Sequence, residues 1–102
     1  MSEKIYTVEE IKKMVYDILK KFNVKKAILF GSYAKNSATS KSDIDIVIDS
    51  EGKLINIYFY GLLEELVEKL GKEVDLFEIV EIQKNSKIFN DIEKEGITIY
   101  GK

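Results

Sequence analysis

The 102-residue sequence contains no cysteine, histidine, proline, tryptophan or arginine. Without cysteine there is no disulfide and no thiolate. Without cysteine and histidine there are no zinc-finger ligands and no Ser-His-Asp or Cys-His nucleophilic site. Without arginine there is no planar fork to grip a phosphate or carboxylate at two points. Long apolar runs are also missing: nothing approaches the roughly 18 residues of a membrane span, and the Met1-Ser2-Glu3-Lys4 start lacks the apolar stretch of a signal peptide. A cytoplasmic protein without membrane attachment is expected. Chemistry must come from carboxylates, lysine, hydroxyls and backbone N–H groups.

Hydrophobic residues make up 45% of the chain, enough for one core, so residues 1–102 are expected to form a single domain that needs neither disulfide nor structural metal. Sixteen lysines against 18 acids leave a net charge of -2, which gives no electrostatic reason to expect binding to duplex nucleic acid. The charge is uneven. Residues 1–26 carry seven lysines and four acids, whereas residues 57–83 carry two lysines and seven acids. Two solvated helix faces of opposite sign account for this.

The order of elements follows from periodicity. Thr7 and Glu10 form a capping-box pattern ahead of a helix whose apolar stripe is Val8, Ile11, Val15, Ile18, Leu19 and Phe22, ending near Asn23. Ala27-Ile28-Leu29-Phe30 suits a strand buried on both faces and broken by Gly31. After the polar stretch 32–42, the alternation from Asp43 to Asp49 is a strand with Asp43, Asp45 and Val47 on one face and Ile44, Ile46 and Ile48 on the core face. A turn at 50–53 leads to a second helix from about Ile55 to Leu70, with Phe59, Leu62, Leu63, Leu66, Val67 and Leu70 inward and Gly71 as its stop. Glu73 to Val80 is a third strand, which carries Asp75, Phe77 and Ile79 on one face and Val74, Leu76 and Glu78 on the other. A helix over 86–94 and a closing strand over 97–100 complete an α/β alternation, with a sheet covered by helices on at least one side.

The informative stretch runs from Gly31 to Asp45. Gly31-Ser32 directly after a buried strand is compatible with a phosphate cradle, in which the glycine admits close approach and Ser32 offers its hydroxyl and N–H at a helix start; it is also a common turn. Asp43 and Asp45, two apart on a strand, point the same way. A divalent cation would resolve their repulsion, and an all-oxygen set suits magnesium or manganese better than zinc; equally, both could face solvent on a half-exposed strand. Asp75, an acid amid apolar residues, would bring a third carboxylate to the same place if its strand lies alongside, as a two-metal phosphoryl-transfer site requires. It could instead be an edge acid paired with a lysine.

Together these residues resemble the nucleotidyltransferases of the DNA polymerase β superfamily, in particular the minimal single-domain members of prokaryotes. The family pattern is Gly-Ser, ten residues, then Asp-x-Asp; here Gly31-Ser32 is followed by residues 33–42 and Asp43-Ile44-Asp45, with Asp75 at the later acid and 95–100 similar to the C-terminal strand. The resemblance covers nearly the whole chain. Where many relatives carry Arg-Gly this chain has Lys35-Asn36, which keeps the charge but not the bidentate grip, and Asn36 can take a glycine's left-handed conformation.

The resemblance implies a polymerase β-like α/β (α+β) fold, a small mixed sheet with helices packed on one side. It implies that Asp43, Asp45 and Asp75 are catalytic and hold two magnesium ions, or manganese, and that Gly31, Ser32 and Lys35 bind ATP. It also implies transfer of AMP to a tyrosine hydroxyl of a partner HEPN toxin, with this chain as antitoxin. Two other functions remain open: a non-catalytic nucleotide-binding antitoxin, or a nucleotidyltransferase acting on a small molecule. A homo- or hetero-oligomer is compatible with either. Tyr58, Phe59 and Tyr60 are consecutive, so no helix buries all three on one face; one of them faces a partner, another subunit or the nucleotide, or simply leaves its hydroxyl in water. Tyr33 either stacks near a base or packs beneath the loop.

Overall fold

Thr7 starts the first helix as its sequence context requires. In the computed structural model, which describes residues 3–101, the Glu10 N–H donates to Thr7 Oγ1 at 3.1 Å and the Thr7 N–H donates to Glu10 Oε1 at 2.8 Å. This reciprocal cap satisfies two N–H groups that would otherwise lack partners. Helix α1 (Val8–Lys21) then buries Ile11, Val15 and Leu19, positions one helical turn apart.

Strands β1 (Lys26–Phe30), β2 (Ile44–Asp49), β3 (Val74–Glu78) and β4 (Ile97–Tyr100) form one sheet in the order β3-β2-β1-β4. β1 pairs antiparallel with β2 and β4, and β2 pairs parallel with β3. The parallel pair needs a crossover, which helix α2 (Ile57–Leu70) supplies before Gly71 ends it in the left-handed conformation, φ 65°. Helix α3 (Lys87–Glu95), capped by Ser86, precedes β4, and short 3-10 turns follow β1 (Gly31–Tyr33) and β3 (Ile79–Glu81).

One face of the sheet carries Ala27, Leu29, Ile44, Ile46, Ile48 and Ile99 and is covered by α1 and α2. The other face is divided along the strands. Ile28, Phe30, Val47 and Phe77 form a smaller cluster with Ile88 and Ile92 of α3 and with Ile79 and Ile82. The expectation of helices on one side therefore describes α1 and α2, while α3 sits opposite, because an apolar half-face at Phe30 and Val47 has to be removed from water. The uncovered half of that face carries Asp45 and Asp75. No helix among the described residues is long and apolar enough to cross a membrane.

Candidate active site

Two register pairings assemble the site. Asp45 lies opposite Phe30, the last residue of β1, and opposite Asp75 on the parallel strand β3. The Gly31 turn and both aspartates thus meet at one edge of the open half-face. Asp75 is the second residue of its strand, after Val74, and the Ile44 N–H donates to Glu73 O at 3.0 Å, which fixes the relative height of β2 and β3. Asp43 stands exposed just before β2.

Asp45 is half-buried, and its carboxyl is pushed up to about 7, first by burial, then by the hydrogen bond and charge of Asp75, and then by the charge of Asp43. Every one of these influences disfavours the ionised form. The strand pairing holds like charges together and leaves the repulsion to be relieved by a proton or a cation. As the side chains stand, the three aspartates do not close into a set of three ligands, nor does any other acid, histidine or cysteine group among the described residues. The donor chemistry fits a hard divalent ion: carboxylate oxygens only, with excess negative charge.

Gly31 has a role that sequence spacing alone does not reveal. Its φ is 74°, and a Cβ built on it would overlap the Asp45 carboxylate. The absent side chain is the space in which Asp45 stands, so the glycine serves the acid as well as any approaching phosphate. The following turn is closed by the Ala34 and Lys35 N–H groups donating to Gly31 O, and the Ser37 N–H donates to Ser32 O at 3.0 Å. Asn36 adopts φ 60°, the conformation anticipated for it. Lys35 is exposed, with Nζ 3.9 Å from Glu95 Oε1 at the end of α3.

Tyr33 packs beneath the loop rather than outward. Its ring belongs to the main core and burial raises its hydroxyl pKa. Of the three consecutive aromatics, Phe59 packs on the core while Tyr58 and Tyr60 are exposed, as are the chain neighbours Ile55 and Ile57. That patch lies where β2 and β3 end, away from the aspartates.

Sequence reasoning passed over Lys72. It is 2% exposed and donates to Ser40 O at 3.1 Å, beside a cavity of about 310 Å³ that also borders Asp43. The signal was available: Lys72 shares the parity of Val74 and Leu76, so extending the alternation two residues back puts it on the covered side.

A family model described as polymerase beta nucleotidyltransferase matches residues 9–102. A putative protein adenylyltransferase of Methanocaldococcus jannaschii is 47% identical over 70 residues, 68% of this chain and 74% of that one. A second from the same organism is 39% identical over 97 residues, 91% of this chain and 98% of the other. Among solved structures, that of a tri-AMPylated Shewanella oneidensis HEPN toxin in complex with an MNT antitoxin superposes with a TM-score of 0.72 at 21% identity, covering 94% of this chain and 74% of the matched one. With the family model spanning nearly all of it and close relatives matched over most of their length, this chain belongs to the polymerase β nucleotidyltransferase family.

Proposed function

We propose that this chain is a magnesium-dependent protein adenylyltransferase of the cytoplasm, in which residues 1–102 act as one domain that transfers AMP from ATP to a hydroxyl, a tyrosine in the first instance, of a partner HEPN toxin. The single observation that carries the reading is the placement of Asp45 against Asp75 in the space left by Gly31. A protein that only bound its partner would have no use for a carboxylate pair held together against its own repulsion. The family supplies the nucleotidyl chemistry, and the protein adenylyltransferase names of the curated relatives, with the HEPN complex among the structural neighbours, supply the acceptor class.

Asp43, Asp45 and Asp75 would hold the divalent ions. A magnesium ion held there would supply charge neutralisation for the triphosphate. The chain's own residues do the rest. Backbone N–H groups of the Gly31–Tyr33 turn and the Ser32 hydroxyl receive the phosphates, and Lys35 lends positive charge at the loop. The acceptor oxygen attacks the α-phosphorus, a new P–O bond forms to the acceptor, the bond to the β-phosphate oxygen breaks, and pyrophosphate leaves with its electron pair. Asp75 takes the acceptor proton. Holding the two reactants side by side converts a bimolecular encounter into an intramolecular one, which is a large part of the acceleration available without histidine.

The test is incubation with α-phosphate-labelled ATP, magnesium and the HEPN protein of the same host. Label on that protein with the wild-type chain, reduced at least 100-fold with Asp43→Asn, is the expected result. Absence of label despite ATP binding and stable complex formation would replace transfer by stoichiometric neutralisation.

A further inference from the structure

Lys72 is a buried charge with no part in the chemistry above. A buried ammonium is unfavourable unless hydrogen-bonded, so where it points reports what it holds. It lies in the three-residue link 71–73 between α2 and β3, directly after the capping Gly71, and its Nζ donates to the backbone carbonyl of Ser40 at 3.1 Å, across 32 residues of chain.

Ser40 belongs to a small turn. The Ser42 N–H donates to Thr39 O at 3.1 Å, the Thr39 N–H donates to Ser42 Oγ at 2.9 Å, and the Lys41 N–H donates to Thr39 Oγ1 at 3.3 Å. These bonds shape the turn but are internal to it; they do not tie it to the sheet. Asp43 follows immediately and is outside the β2 ladder. Among the described residues, bonds that join this segment to the β3 side include the Ile44 N–H to Glu73 O, just after Asp43, and Lys72 to Ser40, three residues before it. Asp43 is thus suspended between two anchors, both supplied by neighbouring residues that lead into the strand bearing Asp75.

We propose that Lys72 is a positioning residue: its ammonium ties the 39–42 turn to the start of β3, and so sets Asp43 relative to Asp45 and Asp75. The inference rests on the proposed metal-dependent transfer. Lys72 acts through the Ser40 backbone and touches neither nucleotide nor acceptor. Because the acceptor atom is a carbonyl, the identity of the Ser40 side chain is immaterial to the contact.

The experiment compares the full chain with Lys72→Met, which keeps the aliphatic stem and removes the donor, with Lys72→Gln, whose amide nitrogen stops one bond short of the Nζ position and so out of hydrogen-bond reach of Ser40 O, and with Ser40→Ala. Three quantities are read: amide hydrogen exchange at residues 39–43 without metal, manganese affinity by electron paramagnetic resonance, and the split of AMP transfer into kcat and KM for ATP. In both Lys72 variants the expected result is faster exchange confined to residues 39–43, manganese binding weakened about 10- to 100-fold, and a fall in kcat larger than any rise in KM. Ser40→Ala is expected to match the wild type in all three. The Gln variant keeps the test alive if the Met variant does not fold. Unchanged loop exchange and manganese affinity in a folded Lys72 variant would overturn the proposal, as would a Ser40→Ala effect equal to that of Lys72→Met. Wild-type protein that neither binds manganese nor transfers AMP would instead overturn the reading of the site itself, a result visible before any variant is made.

Discussion

At the scale of single residues, Gly31 separates two demands that a glycine can answer. Gly31 and Gly52 have nearly the same backbone angle, φ 74° and 73°, but a Cβ on Gly52 would meet nothing within 4 Å whereas one on Gly31 would overlap Asp45. Forcing an L-residue into this conformation costs about 1 kcal/mol at either place. Gly52→Ala is therefore expected to lower stability by that amount and leave AMP transfer intact. Gly31→Ala must also displace the Asp45 carboxylate, so transfer should fall at least 100-fold; side-by-side urea titrations and transfer assays check both halves. Asn36, by contrast, shows a residue whose conformation was legible in advance, since asparagine is among the few non-glycine types that enter the left-handed region readily. The collision at Gly31 was not legible, because it depends on the pairing of Phe30 with Asp45 fifteen residues along the chain.

At the scale of elements, local signals dictated most of the boundaries. The Thr7–Glu10 box and the left-handed Gly71 each fix a helix end through bonds within a few residues, and β2 declares itself by the alternation of its own β-branched residues. Thr7→Ala removes the oxygen that accepts from the Glu10 N–H and is expected to destabilise the protein by about 1 kcal/mol, read as a lower urea midpoint at unchanged slope. Because α1 packs on the sheet face opposite Asp45 and Asp75, transfer measured well below the midpoint should not change. Elements fixed by distant partners were less legible. Parity placed Glu78 on the covered face with Val74 and Leu76, but nothing local named its partner. That partner is Ser50, whose N–H lies 3.3 Å from Glu78 Oε1 and whose hydroxyl donates to the same carboxylate. The position of α3 is similar: a helix over 86–94 was expected, but the side of the sheet it covers follows from Phe30 and Val47 lacking any other cover.

At the scale of the whole molecule, the site and the stability of the fold pull against each other, and pH exposes the conflict. The Asp45 carboxyl titrates near 7 in the folded chain, against about 4 for an unconstrained aspartate. Between those values the folded state holds a proton that the unfolded state has released, so raising the pH across this window destabilises the metal-free protein. A fully enclosed group displaced this far would carry about 4 kcal/mol. Asp45 is only half-buried, and solvent screening reduces the expectation to about 1 kcal/mol. Asp45→Asn removes the ionisation, so in the absence of metal the variant should be more stable than wild type at pH 7.5 and no different near pH 4, while transferring no AMP. Magnesium should act in the opposite direction. A cation that binds the folded state alone stabilises it in proportion to the logarithm of its excess over the dissociation constant, so millimolar magnesium should raise the melting temperature of the wild type at pH 7.5 and leave Asp45→Asn nearly unmoved. Melting curves of both proteins at the two pH values, with magnesium and with a chelator, check all of this in one set. A wild type that melts at the same temperature at pH 4 and 7.5 under chelator, and does not respond to magnesium, would mean that the acid pair carries neither the strain nor the cation that its place opposite Gly31 implies.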